Sequence, residues 1–502
     1  MKTKAPLPTL ILLFILPCSF HAQPIDASSS PIVISDVIIV DVVKGQLIPD
    51  QTVIIAGQQI TGLGQVDSLS TPGHATMINA RNKYLIPGLW DMHVHLDDKP
   101  GLHFTDKDKK MTLDLLVVHG IVGVRDMGGN LRQLAEWKRW TANEQLIAPQ
   151  IIAAGPYLDG NPSLQRYYSY PLSTAEQARS LVRTLNKNSN IDFVKVYSNL
   201  SRKTYVAIAE EANKLGIPFA GHLPPTIKLE EAIEAGQRSF EHGDPLAYRC
   251  TEQATEYRKI IEEANSLERM HPKRIRALDI FAGADKEVMT SFDPSACKNL
   301  LGKLENAAVW YTPTHAVFKG MTHITEPPSE DDPRYQTLHP QYKNLWQQRV
   351  NSIPDSIVQK PGFGQMNHDF FESRFKITHT LHEAGVPLLA GTDMPDLPYI
   401  FPGSSLHDEL ELMVQAGLSP AEALSTATIN PAQYLGREYE MGTVAVANTA
   451  DLVLLNENPL KDINNVRDIH AVVLRGRLLK RAALDSMLNE IKSKVKKFKK
   501  RE

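Results

Sequence analysis

Two histidines separated by one residue, His93 and His95, give the strongest chemical signal in the sequence. They follow an apolar run and a Pro-Gly corner in residues 86–96, which read IPGLWDMHVHL. In a β-strand, side chains at positions i and i+2 lie on the same face, so the two imidazoles point the same way. Imidazole is the commonest protein ligand for zinc and similar metals. The pair therefore predicts half of a metal site, although a solvated strand face explains an isolated His-x-His equally well.

Four more residues with metal-binding chemistry lie at or near the ends of short apolar runs. Lys195 lies inside FVKVY, while PFAGH, SFEH and VPLLAGTD end at His222, His242 and Asp393. In a parallel α/β barrel, the chemistry takes place at the carboxyl ends of the strands. Each histidine alone is more often structural, but six such positions at strand ends together favour a metal centre. A buried strand seldom carries an unpaired ammonium, so Lys195 either pairs with a carboxylate or has a special role.

The elements that must position these residues alternate between short apolar runs and amphipathic helical segments. Eight such runs occur in the middle of the chain, at 89–95, 120–126, 151–155, 193–197, 218–222, 239–242, 310–314 and 386–393. Eight strands in βα alternation are the sequence signature of a TIM-type (β/α)8 barrel. The sequence therefore predicts an α/β fold whose strand ends meet at one mouth.

Short β-branched runs flank the predicted barrel on both sides. They occupy residues 32–57 and return at 442–476, which predicts a small β-sandwich domain built from both chain ends. The predicted division begins with a signal peptide at 1–22, the N-terminal segment of the β-sandwich at 23–85 and the barrel at 86–436. The C-terminal segment of the β-sandwich follows at 437–482, and a basic C-terminal tail occupies 483–502.

The composition is that of an ordinary globular protein. Of the 502 residues, 42% are hydrophobic and 22% are charged, which allows one large domain and a small one. The formal net charge of -3 gives no reason to expect nucleic acid as a partner. We expect a small-molecule substrate, and the sequence leaves a homo-oligomer open.

The N-terminus is typical of a secretion signal. Lys2 and Lys4 precede an apolar run at 10–16 that is too short to span a bilayer, and cleavage fits after Ala22. We therefore expect an exported protein, periplasmic or secreted, without stable membrane insertion after the signal is removed. A lipid anchor at Cys18 is the lesser alternative, because a proline precedes it. The two cysteines that remain in the mature chain allow one disulfide, between Cys250 and Cys297.

The motifs together resemble the amidohydrolase superfamily of metal-dependent hydrolases. They are PGLWDMHVH, VKVY, the GH at strand five, EHG, AGTD, SLHDELELMVQAGLSPAEALSTATINPAQYLG and TADLVLLNENPL. They span almost the whole mature chain and are most similar to the imidazolonepropionase-like and Xaa-Pro dipeptidase-like branch.

The resemblance implies a two-metal site. His93, His95 and Asp393 would hold the more buried ion and His222 and His242 the other. Lys195, carboxylated by carbon dioxide, would bridge both ions as a carbamate. On ligand type we expect two zinc ions, although nitrogen and carboxylate ligands also admit iron, manganese or cobalt.

The implied activity is hydrolysis of an amide-type C–N bond. A hydroxide that bridges the metals would attack the scissile carbonyl, and Asp393 would act as general base and then general acid. The same hydroxide attacks esters, so a lactonase or esterase is the alternative enzyme. A non-catalytic binding protein on the same fold is the third hypothesis.

Three polar residues near the same strand ends are candidate substrate-binding residues. Tyr197 lies two residues beyond Lys195 on the same strand face, where it polarises a substrate carbonyl or belongs to the core. Arg125 ends the second strand and binds a substrate carboxylate or, as we favour, pairs with the adjacent Asp126. His315 follows the seventh strand and lines the pocket or is structural.

The chain departs from two relatives after the strand-five histidine. His222 is followed by Leu-Pro-Pro, where dipeptidase relatives tend to have a second His or a Tyr, so dipeptidase activity does not carry over safely. Deaminases of the superfamily usually have a catalytic Glu three residues after that histidine, and here the residue is Pro225.

Overall fold

The computed structural model describes residues 30–96, 106–164, 167–187, 191–242 and 291–498, with gaps at 325, 330, 354, 360–361 and 396 in the last range. From 243 to 290 it describes only residues 246, 249–251, 253, 255–256 and 259–260. The predicted signal peptide, the possible lipid-anchor site at Cys18 and the last four residues of the predicted basic tail lie outside the described residues.

Strands from both flanks of the chain share one mixed sheet of eight strands. These strands are β1 (Ile32–Asp41), β2 (Gln46–Ala56), β3 (Gln59–Gln65), β4 (Thr76–Asn79), β5 (Tyr84–Pro87), β15 (Leu452–Leu455), β16 (Ile469–Leu474) and β17 (Arg477–Lys480). Their order is β17-β16-β15-β5-β1-β2-β3, and β4 pairs with β1. β-Branched residues, as in the IVISDVIIVD of β1, favour this extended backbone. The shared sheet agrees with one domain built from both ends, while the second layer of a sandwich stays a prediction.

Nine strands between the flanks form two parallel sheets. They are β6 (Leu89–Val94), β7 (Ile121–Asp126), β8 (Gln150–Ala153), β9 (Tyr157–Gly160), β10 (Ser169–Leu172), β11 (Val194–Val196), β12 (Phe219–Gly221), β13 (Ser239–Glu241) and β14 (Trp310–Thr312). One sheet has the order β6-β7-β8 and the other the order β10-β9-β11-β12-β13-β14. Every pairing in them is parallel. β6, β7 and β11 to β14 are buried along their whole length, as expected for a parallel sheet covered on both faces.

Two chain segments connect the parallel sheets. The first contains the predicted third strand. There the chain turns at Gly155 (φ +74°), between β8, which pairs with β7 in one sheet, and β9, which pairs with β11 in the other. The second is the predicted eighth strand. There Leu389 N donates to Tyr311 O (2.7 Å) on one side, and Met92 N donates to Ala390 O (2.8 Å) on the other. The α/β fold with parallel sheets is therefore confirmed, and closure into one eight-stranded barrel stays a prediction.

Helices follow most of the parallel strands. They are α1 (Asp106–Val118), α2 (Leu131–Ala142), α3 (Ala175–Lys187), α4 (Arg202–Leu215), α5 (Leu229–Glu234), α6 (Lys298–Asn306), α7 (His315–Thr322), α8 (Pro340–Asn351), α9 (Asp355–Val358), α10 (Phe363–Glu383), α11 (Ser404–Gln415), α12 (Pro420–Thr426), α13 (Ile429–Leu435) and α14 (Arg481–Phe498). The residues at the helix ends are those that cap helices. For example, Ser201 caps the start of α4, and Gly216 ends it in the left-handed conformation. Within the described ranges, no helix is long and apolar enough to cross a membrane.

One disulfide joins two cysteines of the described residues. Cys250 and Cys297 are separated by 47 positions, and both are buried. Cys250 lies in the connection after β13, and Cys297 lies just before α6. The bond therefore ties the chain that leaves β13 to the helix that precedes β14.

Candidate metal centre

Three of the predicted ligands converge at the carboxyl end of β6. The ligand atoms of His93, His95 and Asp393 all lie within 4.8 Å of one another. Asp393 Oδ1 is 2.9 Å from His95 Nε2 and 3.3 Å from His93 Nε2. The two histidines share a face, as their i, i+2 spacing predicts. Residues almost 300 positions apart in the sequence therefore meet at one point.

The other two predicted histidine ligands complete a cluster of four imidazoles. His222 follows β12 and His242 follows β13, and their Nε2 atoms are 3.1 Å apart. The ring centroids of His242 and His93 are 4.8 Å apart, which joins the two halves of the cluster. Two ligand atoms on one tetrahedral zinc, each 2.0–2.1 Å from it, lie about 3.3 Å apart. The observed separation is close to that value.

The hydrogen bonds of His93 and His95 fix which nitrogen carries the proton. His93 Nδ1 lies 2.9 Å from Glu241 Oε2, and His95 Nδ1 lies 2.8 Å from Gly128 O. A carboxylate and a carbonyl can only accept, so both Nδ1 atoms donate. In a neutral imidazole, the Nε2 lone pairs then face the cluster.

Hydroxyl groups hold the other two rings in the same way. His242 Nδ1 lies 2.8 Å from Thr314 Oγ1, and this hydroxyl donates its own proton to Pro313 O (2.8 Å). The hydroxyl therefore accepts from His242, whose Nε2 is again the bare nitrogen. His222 Nδ1 lies 2.8 Å from Ser198 Oγ. Such partners orient the ligands of metal-bound histidines in many proteins.

Lys195 lies on β11 as a buried amine. Its side chain is 0% exposed, and Nζ makes no hydrogen bond with any described residue. Burial lowers the pKa of Lys195 to about 8, although Glu241 and Asp393 oppose the change. Its neutral form is therefore favoured relative to an exposed lysine.

This set of atoms fits divalent metal ions. Burial lowers the pKa of His242 to about 3 and that of His222 well below its usual value, which keeps both rings neutral, as ligation requires. Burial alone would raise the pKa of Asp393, but His93 and His95 hold it well below its usual value. A positive charge, either protons on the Nε2 atoms of His93 and His95 or a bound metal ion, therefore lies between these nitrogens and the Asp393 carboxylate. Nitrogen and carboxylate oxygen suit zinc and similar metals.

Arg125 is a buried cation that reaches the cluster through Glu241. It is 0% exposed, and its Nη2 lies 3.0 Å from Glu241 Oε2. Its other groups donate to Ser239 Oγ (2.9 Å) and Met92 O (2.6 Å). The favoured pairing with Asp126 is therefore wrong, because Arg125 pairs with Glu241 instead, and a role for Arg125 in binding substrate stays a prediction.

The other two candidate substrate-binding residues differ in position. The half-buried ring of Tyr197 lies 4.2 Å from the ring of His222, so Tyr197 belongs to the cluster. His315 is fully buried, and its Nε2 lies 3.0 Å from Thr378 Oγ1. It lines a cavity of about 10 Å³ beside His242. This volume holds one water molecule, and a contact of His315 with substrate stays a prediction.

The sequence analysis gave no role to several residues that support the cluster. Glu241 orients His93, and Asp91 joins β6 to the Asp393 segment by accepting from Thr392 N (3.0 Å) and Thr392 Oγ1 (2.7 Å). A signal was present, since each of these acids lies within a short buried strand and must find a partner there.

Backbone strain is concentrated at the same place. His242 (φ +67°), Thr314 (φ +51°) and Asp393 (φ +61°) all adopt the left-handed conformation. This conformation is unfavourable for side chains other than glycine, and it recurs at functional sites. The strain therefore marks the same strand ends as the ligand atoms.

Comparisons with known proteins agree with this geometry. The amidohydrolase family model matches residues 367–479, which include the Asp393 segment. The imidazolonepropionase of Alkaliphilus oremlandii (strain OhILAs) is 21% identical over 433 residues, covering 82% of this chain and 85% of the relative. These matches support the amidohydrolase superfamily. The imidazolonepropionase matches support the branch predicted from the sequence, and a hydrolase that acts on carbon–nitrogen bonds is confirmed.

Two solved structures share the fold of this chain. The bottromycin amidohydrolase superposes with a TM-score of 0.70 at 20% identity, covering 93% of this chain and 90% of that one. A Xaa-Pro dipeptidase with methionine bound in its active site gives a TM-score of 0.62 at 17% identity, covering 90% and 100%. The shared fold therefore extends well beyond the residues that the family model matches.

Proposed function

We propose that this protein is a two-metal hydrolase that cleaves an amide-type C–N bond of a small molecule. The observation that carries the proposal is the convergence of four imidazoles and the Asp393 carboxylate, with supporting hydrogen bonds that turn the Nε2 lone pairs inward. Such a centre is stable only around positive charge. Zinc is the metal that we expect.

The proposed ligand sets are the two halves of the cluster. His93, His95 and Asp393 hold one ion, and His222 and His242 hold the other. When bound, the ions lower the pKa of a coordinated water from 15.7 to roughly 7 and polarise a substrate carbonyl.

Lys195 is the proposed bridge between the two ions. The neutral amine adds to carbon dioxide and releases one proton, and the product is a carbamate with two oxygen donors. The buried Nζ without a hydrogen-bond partner among the described residues and its lowered pKa both support this modification, because the amine must be unprotonated to react.

Asp393 is the proposed general base and acid. Oδ1 faces both histidines of β6, and the side chain keeps an exposed fraction of 11%, so the carboxylate is accessible from the site. It can take the proton of the attacking water and return it to the leaving nitrogen. Tyr197, whose ring lies 4.2 Å from that of His222, is the proposed substrate contact.

The test combines metal analysis with a substrate screen. We expect about two zinc ions per chain, turnover in a library of N-acyl amino acids, dipeptides and cyclic amides, and loss of most of kcat in Asp393→Asn. Lys195→Met should lower the metal content below that of the wild type. Turnover of lactones or aryl esters alone would favour the esterase alternative. A chain that binds no metal, or Asp393→Asn with normal kcat, would overturn the proposal.

Export of the protein is a separate proposal. The Cys250–Cys297 disulfide supports it, since such bonds persist in oxidising compartments and are rare in the cytosol. Cell fractionation followed by mass spectrometry should find a periplasmic or secreted chain that lacks residues 1–22. An intact chain in the cytosol with both thiols reduced would contradict export.

A further inference from the structure

The surroundings of the two halves of the cluster differ in charge. On one side, Asp393 is itself a carboxylate, and the Nδ1–H of His93 donates to the Glu241 carboxylate at 2.9 Å. On the other side, His222 and His242 contact only the neutral hydroxyls of Ser198 and Thr314 through their Nδ1 atoms. A histidine that donates to a carboxylate is a more basic ligand than one that contacts a hydroxyl.

Glu241 is held in place by a buried network. Arg125 Nη2 contacts both of its oxygens, at 3.0 and 3.1 Å, and Ser239 Oγ donates to Oε1 at 2.7 Å. Arg125 also donates to Thr312 Oγ1 (3.2 Å), and its guanidinium lies 4.8 Å from the ring of Tyr434. Both charged side chains are fully buried.

Burying an ion pair is costly, and a well-packed apolar pair is often as stable. Stability alone therefore gives a weak reason for placing Arg125 and Glu241 here. What an apolar pair would not supply is an acceptor for His93 Nδ1, and with it the fixed tautomer of that ligand. The network thus points to the metal site.

We propose that the Arg125–Glu241 pair positions His93 and makes the site of His93, His95 and Asp393 the tighter of the two metal sites. This site then fills first and empties last, while the ion on His222 and His242 exchanges more readily. The inference rests on the proposed two-metal function. Arg125 and Glu241 are positioning residues, because they act through His93.

Glu241→Gln separates the charge of this residue from its role in fixing the tautomer. Glu241 Oε2 accepts from both His93 Nδ1 (2.9 Å) and Arg125 Nη2 (3.0 Å), so an amide oxygen in the same place keeps both contacts. Glu241→Gln should therefore keep the tautomer of His93 and lose only the negative charge. The double variant Arg125→Met/Glu241→Leu removes the ion pair and the acceptor together, so the proton of the His93 ring is no longer held on Nδ1.

Zinc affinity measured by chelator competition, with inductively coupled plasma mass spectrometry of the ions released, tests the inference. The wild type should lose its two ions in two phases. Glu241→Gln should weaken the tighter site by about 10-fold and the double variant Arg125→Met/Glu241→Leu by about 100-fold, the range typical of residues that support metal ligands. The control Ser198→Ala should weaken only the looser site.

Three outcomes would overturn the inference: two zinc ions of equal affinity in the wild type, either variant with unchanged affinities, or Glu241→Gln weaker than the double variant. If the double variant does not fold, the wild-type release phases and Glu241→Gln still decide. A wild type that binds no zinc would instead refute the proposed function itself.

Discussion

The substitution Gly391→Ala should damage the metal centre without adding or removing a polar group. A Cβ at this position would lie 2.6 Å from Thr312 Cγ2, 2.8 Å from His93 Cβ and 2.9 Å from His93 N. Ordinary contacts begin at 3.4 Å. The segment must therefore move by about 0.8 Å, the difference between 3.4 and 2.6 Å, because a close-packed interior offers no free space.

Neither neighbour can move aside easily. His93 is held by Glu241 through its ring, and Thr312 accepts a hydrogen bond from the buried Arg125. The strain therefore displaces the segment that carries Asp393. Overpacking of this kind costs about 1–3 kcal/mol of stability. A misplacement near 1 Å at a reacting group costs about 100-fold in rate, so kcat should fall by roughly that factor.

The assay measures kcat on the best library substrate, zinc per chain and the thermal midpoint. Gly302→Ala is the matched control, because Gly302 lies inside α6 and a Cβ there meets nothing within 4 Å. It should be neutral or stabilising by up to about 1 kcal/mol, since alanine favours a helix. If Gly391→Ala keeps normal kcat and zinc content, the close packing of the Asp393 segment on β6 is wrong.

Two further predictions concern stability. Replacing Cys250 and Cys297 by serine should lower the free energy of unfolding by about 4 kcal/mol, the loop-entropy value for a 47-residue separation, and denaturation in urea that matches the oxidised wild type would contradict it. Burial, with the charge of Arg374, lowers the pKa of His315 to about 3, so its contribution to stability is complete above pH 6.5 and is lost on acidification by about 1.4 kcal/mol per pH unit. His315→Gln should flatten that slope between about pH 6.5 and 4.5 in urea titrations at fixed zinc, and an equal slope would refute the assignment.

Periodicity and strand ends were enough to predict which ligands would meet. His93 and His95 share a face because a strand has a period of two, and His222 and His242 each follow a short buried strand. Parallel strands end at the same edge, so residues from distant regions of the chain converge. The same reasoning found the strands of both flanks but not how they pair, because pairing depends on registers that local sequence does not state.

The partner of Arg125 could not be predicted in this way. The sequence offers Asp126 beside it, and the structure uses Glu241, more than 100 positions later. Adjacent residues in a strand point to opposite faces, so Asp126 was the less suitable candidate. It accepts backbone amides from Leu96 and Gly128 instead. Choosing the correct acid requires knowing which strands lie across from one another, which is a property of the whole fold.

Several locally unfavourable features lie together at the same strand ends. Residues with side chains adopt positive φ, a lysine is buried without a hydrogen-bond partner among the described residues, and lone pairs face a carboxylate. Each feature alone is unfavourable. Bound cations and a carbamate on Lys195 would relieve the last two, because they neutralise the acceptors and convert the amine to a ligand. The unfavourable backbone conformation of His242, Thr314 and Asp393 remains. It orients two proposed ligands, His242 and Asp393, and the supporting hydroxyl of Thr314 before a metal binds.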